Sequence, residues 1–179
     1  MAGGWRSPFF LGLGGAVSAS PPPPAIAWTL GALWTLSVTC ARSGMYGLRR
    51  TADGITASSD ATSTHPFAVT PGETLFTSFW VRSGVGADGQ IGVGYAFRDS
   101  AGTLLSYSFV ETTSAPSVWT QFAGNIVVPS FAATATPIIR SFNNLHGIWC
   151  VDTLSAFAPG GNFVLSAIKH YFSDYTDYR

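Results

Sequence analysis

Two stretches of alternating side chains constrain the fold of this chain most. From Glu73 to Arg82, one set of alternate positions holds Leu75, Thr77, Phe79 and Val81, and the other holds Phe76, Ser78, Trp80 and Arg82. In the second stretch, bulky residues at 91, 93, 95 and 97 alternate with Gly92, Gly94 and Ala96. A period of two is the period of a β-strand whose two faces have different surroundings. The sequence therefore predicts two strands here, the second with one bulky face and one nearly bare face.

Turn signals divide the rest of the chain into further short strands. Pro71-Gly72, the GADG sequence at 86–89 and the residues 99–102 are turn formers between apolar, β-branched and aromatic runs. Regularly spaced short strands are typical of an all-β sandwich or barrel. Upstream, we predict one or two strands in residues 26–44 and another in residues 45–51. Residues 52–65 are rich in Ser, Thr and Asp, and we predict a loop there.

The bare face of the second strand has two interpretations. Glycine in a strand indicates that something approaches the backbone closely. That neighbour is either a ligand or second chain, or a bulky residue of the same fold, and the second interpretation is favoured.

Composition narrows the classes of partner. Hydrophobic residues make up 46% of the chain and charged residues 10%, with nine Lys and Arg against nine Asp and Glu. Such a sparsely charged, neutral surface predicts coverage by other subunits, including copies of the chain itself. It offers no basic patch for nucleic acid, and no apolar run is long enough for a transmembrane helix.

The sequence predicts three parts: an extended apolar arm over 1–24, a β-domain over 25–158 and a C-terminal tail over 159–179. The arm ends in the four prolines of 21–24, a stiff polyproline spacer. Exposed apolar residues at both ends are predicted to contact neighbouring subunits, because they would otherwise promote aggregation; they are Trp5, Phe9, Phe10, Leu11, Tyr171 and Phe172. In the alternatives, the arm folds back on its own domain, or the first twenty residues act as a secretory signal.

Catalysis is not predicted. Glycoside hydrolysis needs a pair of carboxylates, and most acidic residues here lie in turn sequences. His65, His146 and His170 lack zinc-binding spacing, and no nucleophile elbow or phosphate loop is present. Cys40 and Cys150 are either buried free thiols or a single disulfide.

Sugar binding needs aromatic platforms flanked by hydrogen-bonding side chains. Trp80, Arg82 and Ser78 share one strand face, and Tyr107 lies on a strand expected nearby, so these four are the glycan-binding candidates. The competing interpretation of Trp80, which is favoured, places its ring in the sandwich core.

The order of these segments resembles a known fold family. PGETLFTSFWVRSG, a strand ending in RDSAGTLL, then VWTQFAGNIVVP and GIWCVD resemble the jelly-roll carbohydrate-binding modules of the galactose-binding-like superfamily, as does CARSGMYGLRR upstream. The resemblance covers roughly residues 25–158 and implies a β-sandwich jelly roll. It also implies that Trp119 and Trp149 pack in the core.

Members of that family often hold a structural calcium ion between an early acidic residue and a closing aspartate. Asp152 matches the closing position, but the early segment AIAWTLGALWTL carries no carboxylate. Calcium needs six or more oxygen ligands, usually with several carboxylates. We therefore predict no metal or cofactor, with Asp152 as the one candidate calcium ligand, and expect Asp152 to hydrogen-bond loop amides.

Such modules occur on secreted glycosidases and as small virion proteins of tailed bacteriophages. The sequence WRSPFFLGLGG before the prolines also resembles the start of minor tail proteins from phages of actinobacteria. We predict a structural protein on the exterior of a virion, in the tail or decorating the capsid, with other virion proteins as partners and host-surface glycans as the ligand. The alternatives are a secreted polysaccharide-binding module and an assembly domain that no longer binds sugar.

Overall fold

The computed structural model describes residues 28–44 and 46–157. The predicted assembly contacts Trp5, Phe9, Phe10, Leu11, Tyr171 and Phe172 lie outside these residues. The described residues form one 3-10 helix, Val38–Cys40, and eleven strands. The strands are β1 (Trp28–Leu30), β2 (Trp34–Ser37), β3 (Gly47–Thr51), β4 (Ser59–Ser63), β5 (Phe67–Ala68), β6 (Thr74–Ser83), β7 (Gln90–Arg98), β8 (Leu104–Glu111), β9 (Thr120–Val127), β10 (Thr134–Phe142) and β11 (Ile148–Phe157).

The strands form two antiparallel sheets that pack face to face. The six-stranded sheet has the order β1-β4-β10-β7-β8, with β5 also paired to β10, and the five-stranded sheet has the order β2-β3-β11-β6-β9. This is the jelly-roll β-sandwich that the sequence predicts. The described residues contain no helix that is long and apolar enough to cross a membrane.

The alternation in β6 divides its side chains as predicted. Leu75, Thr77, Phe79 and Val81 are buried between the sheets, and Phe76 on the other face is 41% exposed. Phe79 and Val81 join one core cluster with Trp149, while Leu75 joins a second cluster. Removing this much apolar surface from water is the main favourable contribution to folding.

The predicted loop at 52–65 is wrong over its second half, where Ser59–Ser63 forms β4. This strand pairs with β1 on one side and with β10 on the other. Ala61 is fully buried in the core and Ser63 is 3% exposed. Ser, Thr and Asp disfavour strands in isolation, but pairing on both sides and a small inward residue override that propensity.

The bare face of β7 is explained by neighbours in the same fold, which confirms the favoured interpretation. A Cβ atom on Gly94 would lie 1.9 Å from the carbonyl oxygen of Ser108 on β8. A Cβ atom on Gly92 would lie 2.8 Å from the ring of Phe142 and 3.1 Å from Cβ of Phe109. Glycine is required at position 94 because the backbone of the adjacent strand occupies the space of a side chain.

Arg50 joins the two sheets through the core. Its side chain is fully buried, and its Nε donates to Ser141 Oγ on β10 at 2.8 Å. Its Nη2 donates to the carbonyl oxygens of Thr56 at 2.7 Å and Asn144 at 3.1 Å. Burial lowers the pKa of Arg50, opposed by the charges of Asp53 and Asp88. Arginine nevertheless remains protonated in proteins, so the guanidinium is a buried cation held by neutral acceptors.

A short segment, residues 38–44, crosses the outer face of the five-stranded sheet, and we call it the strap. A disulfide between Cys40 in the strap and Cys150 on β11 fixes it to the sheet, which decides between the two alternatives for these cysteines. Gly47 on β3 lies directly beneath, since a Cβ atom there would be 1.9 Å from the carbonyl oxygen of Cys40. The strap is therefore part of the folded domain and packs against the sheet.

Candidate functional site

The four predicted ligand residues lie on opposite sides of the sandwich. Trp80, Arg82 and Ser78 belong to β6 and face outward from the five-stranded sheet. Tyr107 belongs to β8 and faces outward from the six-stranded sheet, opposite Ala96 on β7. Because the core separates these two faces, the structure does not bring Tyr107 together with the other three.

Trp80 does not fill the core, so the favoured interpretation of this residue is wrong. It lies opposite Asp152 in the ladder, on the outer face, and is half-buried beneath Arg42 of the strap. The Arg42 guanidinium lies 3.6 Å from the centre of the Trp80 ring. This is a cation–π contact, which accounts for the burial of Trp80 outside the core.

The two tryptophans that the resemblance places in the core, Trp119 and Trp149, differ in their burial. Trp149 is fully buried in the main core cluster, as predicted. Trp119 is half-buried, and the Arg82 guanidinium lies 5.3 Å from its ring centre. Since Arg82 points outward from β6, the prediction that Trp119 packs in the core is wrong.

Asp152 holds the strap to the sheet. The carboxylate is 2% exposed, and its Oδ2 accepts hydrogen bonds from the backbone amides of Arg42 at 2.6 Å and Ser43 at 2.8 Å. Its Oδ1 accepts a third from the Thr153 amide at 2.6 Å. Three N–H donors occupy both oxygens, and this donor set does not suit a calcium ligand. Among the described residues, no group of three His, Cys, Asp or Glu side chains is arranged to hold a metal.

The outer face of the six-stranded sheet carries a continuous row of aromatic rings, which we call the aromatic strip: Tyr107, Phe109 and Phe142. The Tyr107 and Phe109 rings are nearly parallel with centres 6.2 Å apart. Phe109 and Phe142 meet edge to face at 5.2 Å. Tyr107 remains 40% exposed. The bare face of β7 lets these rings lie close to the sheet, so its glycines shape the surface on which a ligand would rest.

An ion pair lies across the aromatic strip. Nε and Nη2 of Arg140 each donate to one oxygen of Asp60 at 2.7 Å, a two-point arrangement that fixes the guanidinium plane. The hydrogen bonds to Asp60 raise the pKa of Arg140, opposed by desolvation. The same guanidinium lies 4.3 Å from the ring centre of Tyr107 and 5.3 Å from that of Phe109. Charged hydrogen-bonding groups and aromatic surface are thus held together in one rigid array.

This array has the chemical features of a sugar-binding surface. An aromatic ring offers an apolar face to the C–H side of a pyranose, while polar groups nearby receive and donate hydrogen bonds to its hydroxyls. An ionised carboxylate has about four lone-pair sites, and Asp60 uses one per oxygen for Arg140. Asp60 therefore keeps acceptor capacity for hydroxyl donors.

Sequence reasoning identified Tyr107 but missed Phe109, Phe142, Arg140 and Asp60. Phe109 carried a usable signal, because it lies two residues from Tyr107 in the same strand and so shares its face. Asp60 was missed because residues 52–65 were predicted to form a loop, so Asp60 was not expected on a sheet face. Arg140 and Phe142 reach the array only through the pairing of β10 between β4 and β7, which a single sequence does not specify.

Known proteins resemble this chain in structure. No protein-family model and no curated protein matches the sequence. Among solved structures, the family 22 carbohydrate-binding module of Clostridium thermocellum Xyn10B is 19% identical, with 74% of this chain and 86% of that chain covered and a TM-score of 0.54. A family 16 carbohydrate-binding module is 12% identical, with 70% and 85% covered and a TM-score of 0.51.

A bacteriophage structure also has this fold. The enzymatically active domain of the bacteriophage CBA120 tailspike protein 4 is 14% identical, with 74% of this chain but 19% of that chain covered and a TM-score of 0.51. The matched part is therefore one region of a larger protein. The described chain has the jelly-roll fold that carbohydrate-binding modules of families 16 and 22 also have.

Proposed function

We propose that this chain binds glycans without catalysis, through the aromatic strip and the Arg140–Asp60 pair, and that it does so as a structural protein on the exterior of a tailed-phage virion. The observation that carries the binding site is the exposed Tyr107 ring held beside a fixed ion pair on an open sheet face. The fold supports the same conclusion, because its neighbours include proteins named as carbohydrate-binding modules.

The ligand class follows from the shape and chemistry of the array. A row of rings along a sheet face suits an extended chain of sugars, with the exposed Tyr107 ring as the main stacking surface. Three of the similar solved structures are named as xylan-binding domains. Xylo-oligosaccharides are therefore the first neutral probes, followed by glycans extracted from bacterial cell walls.

Tyr107→Ala is expected to weaken glycan binding about tenfold, because the exposed stacking surface is lost. The β-sheet itself should be unaffected, since the side chain is on the outer face. Affinity electrophoresis against a panel of polysaccharides, followed by calorimetric titration of the best ligand, measures the change.

Phe131→Ala is the matched control. Phe131 is 83% exposed and lies in the turn between β9 and β10, away from the aromatic strip. It should keep wild-type affinity. Loss of binding in Trp80→Ala with full binding in Tyr107→Ala would instead place the glycan on the five-stranded sheet, where the sequence first indicated it.

The virion setting rests on separate support. The chain carries only 10% charged residues and has apolar aromatic sequences at both ends, which suit a subunit packed among others. A phage tailspike protein contains the same fold. Peptides of this chain detected by mass spectrometry in gradient-purified virions, at a fixed ratio to the major capsid protein, would agree with the proposal. Secretion of the protein with its first residues removed, and its absence from virions, would favour a secreted polysaccharide-binding module.

We further propose that the domain needs no metal, because the strap amides take the place that a cation would fill at Asp152. The melting temperature is expected to be the same in EDTA and in excess calcium. A ligand that binds only the folded state raises stability as its concentration rises above Kd. A calcium-dependent increase in the melting temperature that is absent from Asp152→Asn would therefore contradict this proposal.

A further inference from the structure

The face opposite the aromatic strip contains a pocket. A cavity of about 260 Å³ lies between the strap and the five-stranded sheet. Arg49 on β3 and Arg82 on β6 line it, together with Ser83, Ile148 and the Cys40–Cys150 disulfide. No carboxylate is among the lining residues that the structure describes.

The two arginines lie in one row of side chains across the sheet. Arg49 is opposite Cys150, and Cys150 is opposite Arg82. They are thus two strands apart, about 10 Å between backbones. Two arginine side chains are long enough to reach one small group in that gap, and the Cys40–Cys150 disulfide lines the pocket between them.

Neither arginine has an ionic partner within the described part of the chain. The ion pairs found there join Arg140 to Asp60 and His146 to Asp88. Arg82 donates to a backbone carbonyl of the strap, that of Thr39, and Nε of Arg49 is buried without any hydrogen-bond partner among the described residues. A buried donor on a cation that lacks an acceptor is costly, so an acceptor supplied from outside would be stabilising.

The other charges on this face also favour an anionic ligand. Arg42 lies over Trp80 on the same face, and the buried carboxylate of Asp152 already accepts three backbone N–H groups. In a chain whose formal net charge is zero, three arginines therefore gather on one sheet face with one engaged carboxylate. Guanidinium groups bind planar or tetrahedral oxyanions through paired hydrogen bonds.

We infer that the pocket between Arg49 and Arg82 binds an oxyanion, namely a carboxylate, sulfate or phosphate group. The group is either a free inorganic ion or the charged substituent of an acidic glycan. This site is on the opposite side of the sandwich from the aromatic strip and does not depend on the glycan-binding proposal.

The test titrates the full chain with three probes by NMR or calorimetry at constant ionic strength: inorganic phosphate, an oligogalacturonate and a neutral xylo-oligosaccharide. Saturable binding of phosphate or oligogalacturonate is expected, and Arg49→Gln and Arg82→Gln should each weaken it about tenfold. Binding of both probes indicates a site for the oxyanion alone. Binding of oligogalacturonate without phosphate indicates a glycan substituent, and the reverse indicates a free ion.

Arg98→Gln is the matched control for loss of one positive charge. Arg98 is exposed on β7 of the other sheet, where its Nη1 donates to Gly102. It should keep wild-type affinity for the anion. Arg49→Lys, which keeps the charge but loses the planar fork, should be intermediate. The inference is overturned if neither anion binds saturably, or if Arg98→Gln weakens binding as much as Arg49→Gln does while all variants melt as folded proteins.

Discussion

Reduction of the Cys40–Cys150 disulfide will lower the free energy of unfolding by about 4 kcal/mol, the cost of releasing a very long closed loop. The bond joins residues 110 positions apart. In the chain-entropy description, a cross-link over a loop of about 100 residues restricts the unfolded chain by roughly 4.7 kcal/mol. Such a loss is a large part of the stability of an ordinary domain, about 5–15 kcal/mol.

Guanidinium chloride titrations with and without a reductant measure this change. The double variant Cys40→Ala/Cys150→Ala should match the reduced wild-type protein and should not respond to the reductant. Alanine suits the comparison because both cysteines are buried, at 1% and 6% exposure, and a serine hydroxyl would add a desolvation cost. Equal denaturation midpoints for the oxidised and reduced protein would contradict the expected role of the bond.

Arg50→Ala will destabilise the domain by about 3–5 kcal/mol, because a large, fully buried side chain is lost together with its hydrogen bonds. The substitution removes three hydrogen bonds at once and leaves Ser141 Oγ and the carbonyl oxygens of Thr56 and Asn144 with fewer donors. It also leaves a cavity where a fully buried side chain had been. Chemical denaturation followed by tryptophan fluorescence measures the loss.

Arg49→Ala is the paired comparison, one residue away in the same strand. The Arg49 side chain lies on the outer face, and its Nε has no hydrogen-bond partner among the described residues, so its loss should cost less than about 1 kcal/mol. Arg50→Met, which fills the volume but donates no hydrogen bonds, should be intermediate. Equal losses for the two alanine variants would show that Arg50 does not tie the sheets together as its contacts indicate.

The faces of single strands could be predicted from the sequence, because alternation is a local property. In β6 every second residue enters the core as its pattern indicates, and the bare positions of β7 predict the close approach that Gly94 makes with β8. The expected role of Asp152, hydrogen-bonding loop amides, is also present in the structure.

What the sequence could not supply is which strands become neighbours. Tyr107 and Trp80 both have outward aromatic positions, but only the assignment of β8 and β6 to different sheets shows that they face away from each other. The strand Ser59–Ser63 was missed because its local composition favours a loop and its partners are distant in sequence. Trp119 was misplaced because Arg82, on another strand, offers its ring an alternative to the core.

The strand order affects how the chain can fold during its synthesis on the ribosome. The last two described strands, β10 and β11, are each the middle strand of a sheet. During synthesis, the strand that pairs between β4 and β7 is made after both of them. The same holds for the strand that pairs between β3 and β6. Unpaired strand edges template association with other chains, so the nascent protein is most prone to association before β10 and β11 have been synthesised. The disulfide that fixes the strap must also form late, since Cys150 lies on β11, the last strand that the structure describes.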